Sequence, residues 1–113
     1  MNARQRLQAL LALALLPCAF GASAADFPIA GKPVRLIVGF PPGGGTDIQA
    51  REVAQQLAQV LGVPVIVVNR PGAGTMIAAT EVSRAAPDGH TILYTPESTL
   101  ALLPYTMPEV SYD

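Results

Sequence analysis

Val34-Arg35-Leu36-Ile37-Val38-Gly39-Phe40-Pro41-Pro42-Gly43-Gly44-Gly45-Thr46-Asp47 is the stretch that decides the fold. Residues 34–38 are apolar apart from Arg35, the pattern of a strand covered on both faces in a parallel sheet. Arg35 is expected to reach out at an end of that strand. The residues after Asp47 recur with helical period. Ala50, Val53, Ala54, Leu57, Ala58 and Leu61 form one apolar stripe, and Gly62 supplies a stop. Thr46 and Gln49 have capping-box spacing, which predicts a helix over 46–62 with Thr46 as its cap. Strand, glycine-rich turn and helix N-terminus together can cradle an anion, because bare backbone N–H groups and the positive end of the helix dipole meet there. The same composition serves equally well for a plain tight turn.

Outward from this unit the alternation continues. Residues 63–68 are rich in β-branched side chains and predict a second strand. Asn69 to Gly74 is a turn, and a second helix is expected over 75–85 with Ile77, Ala78, Val82 and Ala85 inward. Ala86-Pro87-Asp88-Gly89 is a turn signal, since proline presets φ and glycine accepts positive φ. Residues 90–94 predict a third strand, and a short helix is expected from Ser98 to a stop before Pro104. Short strand–helix connections imply right-handed crossovers and a parallel sheet with helices on both faces. Strand 1 is expected in the centre, in the order 2-1-3. The loops 39–47, 69–75 and 94–98 then open on one edge, where ligands bind in open α/β sheets.

The front of the chain reads as an export signal. Arg4 and Arg6 precede the Leu/Ala run of residues 7–16, and Ala22-Ser23-Ala24 fits a cleavage site. The run falls short of the roughly 20 residues that span a bilayer. Cys18 lacks the small neighbours of a lipid-attachment site and is expected to leave with the signal, so residues 25–113 carry no thiol chemistry. Loss of Arg4 and Arg6 lowers the basic count from seven to five against eight acidic residues, a net charge of −3. With no basic cluster and no tryptophan, nucleic acid is an unsuitable partner. Residues 104–113 contain Pro104 and Pro108 and no closing element, which points to the front part of a longer protein.

Nucleotide chemistry fits poorly. In a phosphate-binding Walker loop Gly39, Gly44 and Thr46 fall in register, but Gly45 takes the lysine position. The dinucleotide fingerprint started at Gly43 and Gly45 meets Ile48 where its third glycine belongs. His90 is the lone histidine, and its place at a strand start suits a structural role. No metal-ligand spacing and no nucleophile–base set is present, so no cofactor and no catalytic residue are expected. Ser98 and Thr99 read as helix caps, Tyr94 and Tyr105 as packing residues, and Arg70 as a solvated turn arginine. Asp47 would repel an anion directly; its expected task is to hold the loop through backbone hydrogen bonds.

Three ordered motifs then resemble one family. Lys32 to Asp47 (KPVRLIVGFPPGGGTD), Val68 to Gly74 (VNRPGAG) and Ala85 to Leu93 (AAPDGHTIL), behind a signal peptide, are similar to the Bug receptors, extracytoplasmic solute receptors of tripartite tricarboxylate transporters. The resemblance covers essentially all of residues 25–113. It implies the first part of one lobe of a two-lobed, Venus-flytrap-like periplasmic binding protein of type II. It implies a monomeric receptor that takes a small carboxylate (a di- or tricarboxylate, an amino acid or an aromatic acid) and serves membrane transporter subunits. On this resemblance the loop of Phe40, Pro41, Pro42, Gly43, Gly44, Gly45, Thr46 and Asp47 forms one jaw, largely through main-chain atoms. The loop after strand 3, Thr95 to Thr99, lines the same cleft, with Thr95 and Ser98 as its site residues, and the turn Gly72 to Thr75 lies beside it with Gly74 and Thr75. Thr75-Met76-Ile77-Ala78-Ala79 stands where the family commonly has Gly-Asn-Ile-Gly-Ala, and family members continue well past this length. A sensor subunit using the same lobe, or an α/β nucleotide-binding or enzyme domain using the same loop, are the competing readings.

Overall fold

The computed structural model describes residues 26–107 and residue 110. The expected signal segment and its cleavage site lie outside them. Strand β1 (Val34–Val38) is the centre of a three-stranded parallel sheet in the order β2-β1-β3, with β2 at Val65–Asn69 and β3 at Thr91–Tyr94. Val34 stands opposite Val65, and Arg35 opposite both Ile66 and Thr91. Only a strand flanked on both sides and covered on both faces can take such an apolar run, and Val34, Leu36, Ile37 and Val38 are each at most 2 % exposed. Strand β2 starts later than its β-branched run, at Val65, because Pro64 has no N–H for the ladder; the Pro64 carbonyl still accepts from Val34 N at 2.8 Å.

Helix α1 (Gly45–Leu61) packs on one face. Its Ala50 and Ala54 meet Leu36 and Val38, with Val65, Val67 and Ile92 around them. Small residues on the helix let it approach the branched strand side chains closely. Gly62, at φ 68°, ends the helix with its N–H on the Ala58 carbonyl at 3.0 Å. Helix α2 (Met76–Ser83) covers the opposite face, buries Ala78 and Ala79, and places Glu81 against Arg35 of β1. The order 2-1-3 requires this arrangement, because right-handed crossovers running in opposite directions land on opposite faces.

Four sequence expectations change. The capping box does not form: helix α1 begins at Gly45, its cap is Gly44, and no side chain caps it, so Thr46 is already inside the first turn. Ile77 is half exposed instead of inward, because α2 enters through a tight turn at Ala73–Thr75 and the Ile77 side chain folds over Gly72, where a Cβ would meet its Cδ1 at 2.6 Å. The last helical segment is two short pieces, α3 (Glu97–Ala101) and α4 (Leu103–Thr106), and α4 runs through Pro104. A first-turn proline removes no helical hydrogen bond, so Pro104 is no stop there. Tyr105 does not pack but is 89 % exposed, whereas Tyr94 does pack against the core.

His90 has the structural role expected of it. Its Nε2 accepts from Ile29 N at 3.1 Å, so the ring proton sits on Nδ1, which lies 3.2 Å from the Pro33 carbonyl oxygen. Phe27 stands edge-on to the ring, with centroids 5.3 Å apart. This pins the lead-in segment to the start of β3.

Arg35 does reach outward, with its side chain 41 % exposed, but it is ion-paired there, and Arg70 is not simply solvated. Both donate to Glu81, at 2.8 Å each, tying β1, the end of β2 and α2 together. The Glu81 carboxyl lies below its usual value: burial pushes it up, and the two arginines outweigh that burial. Partly exposed pairs of this kind contribute about 0.2–1 kcal/mol each. We therefore expect Glu81→Gln to lower the thermal midpoint by a few degrees, and we expect the loss to shrink in high salt. A denaturation series at two ionic strengths checks this.

Candidate functional site

The three loops that follow the strands open together at the C-terminal edge of the sheet. In the first, Gly39 is buried and Phe40 half-buried, while Pro41 to Gly45 are exposed. Gly43 adopts φ +86°, which glycine accepts without strain. Its N–H donates to Asp47 Oδ2 at 2.9 Å. Gly43 therefore shapes the loop, and its amide is taken up by Asp47. The N–H groups of Gly44, Gly45 and Thr46 belong to the cap and first turn of α1 and have no acceptor among the described residues.

Asp47 is buried to 2 % exposure beneath this loop. Arg51, one turn on, clamps it in bidentate fashion, Nε to Oδ2 at 2.9 Å and a terminal nitrogen to Oδ1 at 3.1 Å. Asn69, at the end of β2, donates from Nδ2 to Asp47 Oδ1 at 2.8 Å and to the Phe40 carbonyl at 3.0 Å. The Arg51 hydrogen bonds, then the Gly43 amide and the Asn69 amide, hold the Asp47 carboxyl far below the usual carboxylate range. In return the Arg51 guanidinium is held above its own. The pair is ionised and mutually neutralised. A bare carboxylate in this first turn would compete with any anion for the helix dipole; Arg51 removes that competition while the loop keeps its shape.

The second loop carries an unusual backbone. Gly72, Ala73, Gly74 and Thr75 all have positive φ, the last at 78°. A β-branched residue there is an outlier, with a cost on the order of 1–3 kcal/mol. What holds Thr75 is its surroundings. It is 4 % exposed, and it presses so closely on Gly39 that a Cβ on that glycine would lie 2.6 Å from its own. Its hydroxyl donates to Thr99 Oγ1 at 2.8 Å, and Thr95 donates to the same oxygen at 2.6 Å. Ser98 and Thr99 are not caps: the residue before α3 is Pro96, no side chain caps the helix, and Thr99 is buried at 4 % exposure.

A cavity of about 330 Å³ opens beside this cluster, lined by Phe40, Gly74, Thr75, Ser98, Thr99, Leu102, Leu103 and Thr106. Of the expected site residues, the structure brings Phe40, Gly74, Thr75 and Ser98 together here. Pro41, Pro42 and residues 43–47 are not in this lining, and Thr95 reaches it only through Thr99. Thr99, within the expected loop of residues 95–99, also lines the cavity, and three lining residues were not foreseen: Leu102, Leu103 and Thr106. Their visible signal was the apolar Leu102-Leu103 pair ahead of a proline. Among the described residues no group of acidic, histidine or cysteine side chains could hold a metal ion, and no helix is long and apolar enough to cross a membrane.

Known proteins share this arrangement. The model of the tripartite tricarboxylate transporter family receptors matches residues 49–113, more than half of the chain. Protein BugT of Bordetella pertussis is 43 % identical over 91 residues, covering 80 % of this chain and 27 % of BugT. A protein encoded in the gbd 5' region of Cupriavidus necator is 42 % identical over 98 residues, 87 % of this chain and 28 % of its own length. Among solved structures, a periplasmic transporter aligns with a TM-score of 0.71 at 46 % identity, over 78 % of this chain and 29 % of the other. The periplasmic binding protein BugD aligns with a TM-score of 0.53 at 48 % identity, over 54 % of this chain and 20 % of BugD. MatC from Rhodopseudomonas palustris, solved with bound malate, gives 0.56 at 45 % identity, over 59 % of this chain and 22 % of MatC. The chain thus spans less than a third of the length of these relatives. On the family match and the shared fold, this chain belongs to the tripartite tricarboxylate transporter receptors, a family of binding proteins and not of enzymes.

Proposed function

We propose that this chain forms one jaw of a periplasmic receptor that captures a small carboxylate and delivers it to a tripartite transporter in the membrane. The observation that carries this reading is the set of unpaired amides of Gly44, Gly45 and Thr46 at the start of a seventeen-residue helix, over an aspartate whose charge Arg51 already balances. Hydrogen bonds to a charged acceptor contribute roughly 1.5–3 kcal/mol each. Closure of a second lobe about a hinge would exclude water and add opposing contacts. The malate held by MatC is an acid of this class, and the likeness of that protein to this chain supports the reading. The Gly45 backbone in place of a lysine favours an organic acid over a nucleotide triphosphate.

One jaw alone binds weakly. Titration of the isotope-labelled chain with malate, followed by amide resonances, is expected to move Gly44, Gly45 and Thr46 with a dissociation constant on the order of 1 mM or weaker, about −4 kcal/mol. The reading fails if those three amides stay fixed while others respond. Micromolar binding of malate by this chain alone in calorimetry would overturn the half-site part of the reading.

A further inference from the structure

Strand β2 is an open edge of the sheet: β1 lies on one side of it, and among the described residues no strand lies on the other. The register fixes which of its backbone groups are used. Val34 N donates to the Pro64 carbonyl, and Arg70 N donates to the Val38 carbonyl. Parallel pairing engages alternate residues, so residues 64, 66, 68 and 70 turn to β1. The backbone N–H and C=O groups of Val65, Val67 and Asn69 point outward, and none has a partner among the described residues. The other edge strand, β3, turns out only Thr91 and Leu93.

Sheet edges are commonly guarded by a charged side chain, a proline or a bulge. Val65-Ile66-Val67-Val68-Asn69 has none of these, and its register with β1 is unbroken. Val65 and Val67 pack against the core under α1. Ile66 therefore points to the opposite face, where α2 covers β1 and β3 but not β2, and it is 49 % exposed. The charged groups beside the edge are already matched, Arg51 by Asp47 and Arg70 by Glu81. We propose that the β2 edge is a self-association surface, on which two copies of this chain pair antiparallel and join their sheets into one. With the two-fold axis at Val67, Val67 faces its own copy and Val65 faces Asn69 of the second copy. Each outward N–H then meets an outward carbonyl, Ile66 packs on Val68 of the second copy, and no unmatched charge enters the contact. A contact of two five-residue strands is small against the roughly 1,200–2,000 Å² of specific interfaces, so the dissociation constant is on the order of 0.1–1 mM. This inference is independent of the carboxylate reading, and it departs from the monomer that the family resemblance implies.

Sedimentation of the full chain between about 20 µM and 2 mM should show monomer passing to dimer and to nothing larger. Deuterium exchange at the two ends of that range reads the edge itself. The amides of Val65, Val67 and Asn69 should exchange about threefold more slowly at the high concentration. Those of Thr91 and Leu93, at the other edge, should keep their rates. Ile66 is half exposed, so Ile66→Lys is expected to fold, and its charge beside the two-fold axis should keep the chain monomeric throughout. The exchange pattern of the wild-type chain decides the matter without any variant. A chain still monomeric at about 2 mM overturns the proposal. Association that leaves Val65, Val67 and Asn69 unchanged overturns it too, and puts the contact on another surface. So does an Ile66→Lys chain that dimerises as the wild type does.

Discussion

Replacing Gly39 by alanine is expected to be among the most damaging single changes in the described residues. The new methyl would lie 2.6 Å from the Thr75 Cβ, 2.8 Å from its Cγ2 and 3.1 Å from its Cα. The last of these is main chain and cannot swing away. Overpacking of this kind costs about 1–3 kcal/mol, which in a domain this small lowers the thermal midpoint on the order of 10 °C. The partner variant decides the cause. Thr75→Gly removes the obstructing side chain and also relaxes a backbone at φ 78°. It loses the hydrogen bond to Thr99 in exchange. The Gly39→Ala/Thr75→Gly double variant should therefore be more stable than Gly39→Ala alone, a non-additivity that thermal denaturation of the four chains reads directly. Equal destabilisation with and without Thr75 would mean that the clash is not the reason glycine stands at 39.

Asp47→Asn should produce the second large effect. The substitution keeps the shape but leaves Arg51 without its charge partner and turns an amide donor towards the guanidinium. At pH 7 the thermal midpoint should fall by at least about 5 °C. The pH dependence carries the sharper signature. The Asp47 carboxyl is depressed in the folded chain, so the unfolded chain binds its proton more readily. Its stabilisation is complete above the unfolded carboxylate range near pH 4 and drains away as pH falls through the folded value. Glu81 and Asp88 are depressed too and act in the same direction. The wild-type midpoint should drop steeply below about pH 4, and the Asp47→Asn chain should show a shallower acid limb. Parallel acid limbs for the two chains would remove Asp47 from this role.

Most of the architecture could be read from residue patterns because it depends on them. The apolar run of β1 matches its observed bounds, and the 2-1-3 order follows from strand–helix alternation and crossover handedness. The errors at Thr46 and Pro104 are local ones, and the others arose where a local rule met a tertiary partner. Thr46 has the capping-box spacing, but the cap is Gly44, two residues earlier, with Asp47 reaching back to Gly43. The Asp47–Arg51 pair sits at i, i+4 and was legible from spacing alone. Asn69 was not, because its role depends on β2 ending beside Phe40. Thr75 is the extreme case. No propensity places threonine at positive φ, and only the packing against Gly39 and the bond to Thr99 explain it. Ser98 and Thr99 looked alike in sequence, yet one faces solvent at the cavity rim and the other is buried.

The brace of the first loop consists of Phe40, Gly43, Asp47, Arg51 and Asn69, and among the described residues none beyond Asn69 takes part in it. All five lie within residues 40–69, ahead of β3 in the chain, so no contact of the brace spans more than 29 residues. Such contacts are quick to form, so the turn that presents the amides of residues 44–46 is expected to take shape early in refolding.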